Sequence, residues 1–161
     1  MSDASGRNNQ GLISAIIVAG LIAGTLDILS AFTSFYISTG KSPVIVLNYI
    51  SSAVFGKEAY SGGGMMSAVG LLFHYIIAFG WTILFFILYP KLSFLRGNKF
   101  VVGLAYGVFV WVMMNQVIVP MTQIPARPFN LNGAITNAII LMFAIGLPVS
   151  ILANRYYSRH S

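Results

Sequence analysis

Cysteine is missing from this chain, and charge is nearly so. The first absence excludes disulfides, cysteine-ligated zinc, iron–sulfur clusters and thiol chemistry. The second excludes a soluble fold. Only 7% of the 161 residues are Asp, Glu, Lys or Arg, against about 25% in a soluble domain. So few charges cannot coat an ordinary globular surface. Disorder is excluded from the other side. Disordered chains are poor in apolar residues and rich in charge, whereas 57% of this chain is hydrophobic. Acids are the scarcest of all, with three against nine Lys and Arg. The surplus of bases does not point to nucleic acid, because no basic face carries interleaved aromatics. The bases lie between apolar runs, where they orient a chain in a membrane. What remains is a multi-pass membrane protein with the lipid bilayer as its main partner.

Four apolar stretches reach the roughly 20 residues that a helix needs to cross the hydrocarbon. They are 12–37, 65–89, 100–121 and 133–153. Lipid offers no partner for backbone groups, so the spans must be helical. The expected fold is all-α, a single membrane domain built as a four-transmembrane-helix bundle. The first span is too long for a signal peptide's apolar core, and no clean small-x-small cleavage site follows it. The N-terminal tail, the loop 90–99 and the C-terminal tail share one side and carry Arg7, Lys91, Arg96, Lys99, Arg155 and Arg159. The other side has Lys41, Lys57 and Arg127. Positive residues mark the cytoplasmic face, so both termini are expected in the cytoplasm.

The first outer loop holds more than linker. Ser42–Pro43 forms a helix start, and the apolar stretch up to Phe55 is too short to span. It reads as a short helix, about 43–55, lying on the outer interface or lidding the bundle. The Gly62-Gly63-Gly64 run is a flexible joint. Pro120, Pro125 and Pro128 oppose regular helix in the second outer loop. Pro148 in span four predicts a kink, helped by Gly146. Val18–Gly24 and Val101–Gly107 share a Gly-x-x-x-Gly pattern, which shared membrane composition explains, with a duplicated helical hairpin as the alternative.

The polar residues inside the spans are few enough to weigh singly. Gly20, Gly24, Asp27, Ala31 and Ser34 recur at helical spacing, so the stripe is small apart from one acid. Small stripes let helices approach closely in lipid, which turns Asp27 toward the bundle interior. An acid at mid-span costs about 2.5–3.5 kcal/mol on insertion scales. Asp27 therefore needs a partner, a proton or water. Ser67, Gly70, His74 and Ala78 form a matching stripe in span two. Asp27 is ten residues from the outer end of its span, and His74 nine from its own. At the helical rise both lie roughly 14–15 Å below the outer boundary.

Asn115 and Gln116 in span three, with Thr136 and Asn137 in span four, also lie toward the outer end. Together with Asp27 and His74, the amides Asn115, Gln116 and Asn137 make an outward-facing polar pocket, closed toward the cytoplasm. Each has a plainer reading. Asp27 can be a structural hydrogen-bonding group, His74 a lone buried histidine, and the amides interhelical glue. One histidine and one carboxylate are too few for a metal site, and His160 is in the tail. Gly20, Gly24, Gly70, Gly103 and Gly107 are packing positions. Phe73, Phe79, Trp81, Phe85 and Phe86 read as lipid-facing or packing residues. In the outer loops Glu58 and Arg127 form a candidate pair worth about 0–1 kcal/mol if exposed, the alternative being that Arg127 meets an anionic substrate or a lipid headgroup.

The stretch Ala19-Gly20-Leu21-Ile22-Ala23-Gly24-Thr25-Leu26-Asp27, with Gly70-Leu71-Leu72-Phe73-His74-Tyr75 and Asn115, resembles small four-span membrane proteins of the YagU-like type. The resemblance covers about 12–153. It implies a bacterial cytoplasmic (inner) membrane, and it brings no chemistry, catalytic residue or cofactor with it. Three function classes follow from the residues. The first is a small accessory protein that packs with itself or with other membrane chains, as the glycine stripes suggest. The second is a proton-linked or small-solute binding or transport protein using Asp27 and His74. The third, an enzyme, lacks a nucleophile–base pair, a metal set, a phosphate loop or paired carboxylates. No cofactor is expected.

Overall fold

The computed structural model of the chain describes residues 2–124 and 130–159. Among them every regular element is helical. Helix α1 is Ser2–Thr39, α2 is Val44–Phe55, α3 is Gly63–Leu88 and α4 is Lys99–Val112. A π-helical segment, Met113–Ile118, and a short 3₁₀ turn extend α4 to Met121. Helices α5 (Leu131–Leu141) and α6 (Leu147–Tyr157) form one rod, joined by a second π-helical segment, Met142–Gly146. Four continuous stretches are long and apolar enough to cross a membrane: Gln10–Thr39, Gly63–Leu88, Lys99–Met121 and Leu131–Tyr157. Their mean hydropathy runs from 1.8 to 2.3. Apolar residues such as Ile13, Leu29, Ile76 and Phe143 point outward. Helices apolar on every face are suited to a lipid solvent. The protein is thus a multi-pass membrane protein with a four-helix bundle at its centre.

The two ends of the bundle differ. At the end that holds both termini, the core is large and aromatic. Phe85, Val110 and Val149 are fully buried there, and Phe86 almost so. The Tyr106 hydroxyl donates to the Trp81 carbonyl at 2.6 Å, and the Tyr157 hydroxyl to the Phe86 carbonyl at 2.8 Å. Asn154 Nδ2 donates to the Tyr89 hydroxyl at 2.9 Å, and Ser150 Oγ to the Lys99 carbonyl at 2.8 Å. Each bond ties one span to another and gives a buried or half-buried polar group a partner.

Both π-helical segments stop two residues before a proline: Ile118 before Pro120, and Gly146 before Pro148. The cause is local. A proline ring clashes with the carbonyl four residues earlier and has no N–H to offer it. Widening the turn to a five-residue repeat moves that carbonyl away. The Leu147 N–H accordingly bonds to the Met142 carbonyl, and the Val119 N–H to the Met114 carbonyl. The bend expected at Pro148 takes this form. Pro120, expected only to break the outer loop, has the same effect at the end of α4.

Helix α2 lies along the first turns of α3. Ser67 Oγ donates to Asn48 Oδ1 at 2.7 Å, and Phe55 stacks on Phe73 with ring centres 6.3 Å apart. Gly70 brings the two backbones together, since a Cβ there would run into the Leu47 carbonyl. Gly56, at φ 55°, ends α2 in a conformation that residues with a Cβ resist. The loop after α4 holds α2 from its other side. The Gln123 N–H donates to the Ala53 carbonyl at 3.1 Å, and its side-chain Nε2 to the Val54 carbonyl at 2.7 Å. Helix α2 is therefore held between α3 and the loop after α4.

Candidate functional site

The site starts where α1 and α3 cross. Ala19 and Ala23 are fully buried on α1, and Gly20 and Gly24 leave room on the same face for aromatic rings of α3. A Cβ on Gly24 would come within 2.9 Å of the Tyr75 ring, and one on Gly20 would strike the Phe79 ring. This closeness lets two side chains of α3 reach α1. The Tyr75 hydroxyl and Thr25 Oγ1 are 2.8 Å apart, and His74 Nε2 lies 2.8 Å from the Gly24 carbonyl oxygen. A carbonyl oxygen only accepts, so Nε2 carries a hydrogen and donates it. The other ring nitrogen, Nδ1, is then turned to Asp27, whose Oδ2 is 3.9 Å away. The His74 side chain is 9% exposed and that of Asp27 18%.

What exposes Asp27 is a chamber of about 490 Å³, bounded by α1, α2, α3, the π-helical end of α4, and α5 with the π-helical segment that follows it. Most of its wall is aliphatic, with Tyr49 and Phe73 as aromatic members. The polar side chains at its surface include Asp27, His74, Asn115 and Asn137. Among the described residues no Lys or Arg lines it. A second cavity of about 570 Å³ lies beside it, lined by Ser34, Ser38, Asn130, Asn132 and Thr136 among others. Ala31, Val46, Tyr49 and Asn137 line both spaces and form the neck between them. The arrangement is an apolar chamber with one carboxylate and one imidazole, beside a second cavity that carries more hydroxyl and amide groups on its wall.

Of the expected pocket residues, Asp27, His74, Asn115 and Asn137 meet at the chamber. Asn115 Nδ2 also donates to the Trp111 carbonyl at 2.9 Å. Gln116 is exposed and lies outside the chamber lining. Gly20, Gly24, Gly70, Gly103 and Gly107 all sit at close approaches within the chain. Gly103 faces the Gly146 carbonyl, and Gly107 faces Met142. Glu58 is exposed in the turn after α2. Its expected partner, Arg127, lies outside the described residues, as do Pro125, Pro128 and His160. Among the described residues no three His, Asp or Glu side chains converge.

Sequence reasoning missed Tyr49, Tyr75, Thr25 and Gln123, and it read Phe73 only as a packing or lipid-facing ring. Phe73 and Tyr75 flank His74 in sequence, a signal that was available. Tyr49 and Gln123 carried none, because their roles depend on how two loops fold over the bundle. No protein-family model, curated protein or solved structure matches this chain.

Proposed function

We propose that this chain is a membrane-embedded binding protein for a small, largely apolar solute that enters through the second cavity, as a vestibule beneath α2. The chamber carries the reading. Ligand sites typically enclose about 300–1,000 Å³, with mostly apolar walls and a few placed polar groups. A space of about 490 Å³ with Asp27, His74 and two amides on its wall fits that description. An accessory role, packing with itself or with other membrane chains, has less support. The glycine stripes that suggested it are taken up by contacts within the chain, Gly20 and Gly24 on α3 and Gly103 and Gly107 on the α5–α6 rod.

Six of the nine basic residues fall on the end that holds the termini, which supports cytoplasmic termini and an outward vestibule. A bacterial inner membrane and kinship with YagU-like proteins belong to the same proposal and rest on the sequence likeness. The chamber test is direct. Ala31→Trp places a large ring at the neck. Purified protein should bind small aromatic and aliphatic solutes in calorimetry, and Ala31→Trp should weaken that binding at least tenfold while the helical circular-dichroism signal persists. Unchanged binding in the variant would remove the chamber as the site.

A further inference from the structure

The geometry points to a lipophilic monocation as the solute, bound in exchange for the one proton that Asp27 and His74 share. This deepens the chamber reading above and rests on it. The first step is the tautomer. His74 Nε2 is committed to the Gly24 carbonyl at 2.8 Å and must carry hydrogen. In a neutral ring Nδ1 then presents a lone pair to Asp27 Oδ2 at 3.9 Å. A lone pair facing a carboxylate is repulsive. The contact becomes favourable when one proton sits on either side, as a carboxylic acid facing imidazole or a carboxylate facing imidazolium.

The second step is charge. Among the described residues, the polar side chains that line the chamber with Asp27 are His74 from α3, Tyr49 from α2, Asn115 from the end of α4, Thr122 just after it and Asn137 from α5. The Tyr75 hydroxyl is engaged with Thr25. Among the described residues no Lys or Arg lines either cavity. Once the shared proton leaves, the site holds one negative charge with no cation among the described residues that line it, a poor state in a low-dielectric space. A monocation restores neutrality. The exchange balances: the protonated pair plus the cation gives carboxylate, bound cation and neutral imidazole, with one proton released. Tyr49 and Phe73 add aromatic wall of the kind that attracts quaternary ammonium groups.

Benzyltrimethylammonium and its uncharged isostere neopentylbenzene are the probes, titrated into the purified full-length chain in detergent. The ammonium should bind at least tenfold more tightly, and calorimetry in buffers of different ionisation enthalpy should count about one proton released. Because the complex holds fewer protons than the free protein, ammonium affinity should fall on acidification, up to about tenfold per pH unit. Asp27→Asn should lose the preference for the ammonium. Where Asp27→Asn does not fold, the two wild-type titrations and the proton count decide.

Equal affinity for the two probes, no proton release, or a preference that survives Asp27→Asn overturns the cation inference and leaves the chamber reading standing. Failure of both probes to bind overturns both. A phospholipid retained in native mass spectrometry and not displaced by the ammonium also overturns the cation inference.

Discussion

The hydrogen that serves Gly70 as a side chain faces the Leu47 carbonyl of α2, with no room for a methyl group. Gly70→Ala would push backbone against backbone, and backbone cannot swing aside as a side chain can. Overpacking of this kind costs about 1–3 kcal/mol. Gly80 lies further along the same helix and has open space where its Cβ would be. Gly80→Ala should therefore stabilise by about 0.5–1 kcal/mol through helix propensity alone. Thermal unfolding in detergent would show the two substitutions moving the midpoint in opposite directions. Two falls of similar size would mean that α2 does not dock through Gly70. The same scale shows what the sequence reveals of the site. Asp27 and His74 were found by depth, because helical rise converts residue counts into ångströms. Gln116 was grouped with Asn115 because the two are neighbours in sequence. Neighbours on a helix point about 100° apart, and the π-helical segment puts Asn115 alone on the chamber wall. Tyr49 was beyond reach, since no local rule fixes the distance between a loop helix and the middle of a span.

The spans were readable as elements because twenty apolar residues leave few alternatives in lipid. How the helices meet depended on single glycines, which sequence marks without naming their partners. Gly20 and Gly24 of α1 face Phe79 and Tyr75 of α3, and Gly103 and Gly107 of α4 face Gly146 and Met142 of the α5–α6 rod. In both pairs the two glycines meet residues four apart on the next antiparallel span, in the same order. The repeated Gly-x-x-x-Gly thus has matching use in the two hairpins, which shared composition alone does not require. Helix α2 was half readable. Its helical start and its Gly56 stop are local signals, whereas its attachment is not. The Gln123 side chain holds the carboxyl end of α2 through the Val54 carbonyl. One such bond is worth about 0.5–1.5 kcal/mol net. Gln123→Ala should therefore raise amide hydrogen exchange in the last turn of α2 about two- to tenfold, with α6 unchanged. Equal rates in variant and wild type would show that the backbone bond to Ala53 holds α2 without the side chain.

For the whole molecule, the scarcity of charge and cysteine turns from a limit on the sequence reading into a tool. Few charges mean that the proposed orientation rests on a short count, six basic residues at the terminal end against three at the other. The vestibule opens toward the α2 end, so that count also decides which compartment supplies the solute. No native thiol competes for label, and a single introduced cysteine reports one site. Lys57 is exposed in the turn after α2, and Ser93 is exposed in the loop between α3 and α4. Lys57→Cys takes a positive charge from the outer side and Ser93→Cys leaves the charges alone, so neither substitution weakens the bias under test. In spheroplasts a membrane-impermeant maleimide should label Lys57→Cys at once and Ser93→Cys only after permeabilisation. The reverse pattern would turn the bundle over. The Asp27–His74 chamber would then face the cytoplasm, and a solute bound there would have to be drawn from inside the cell.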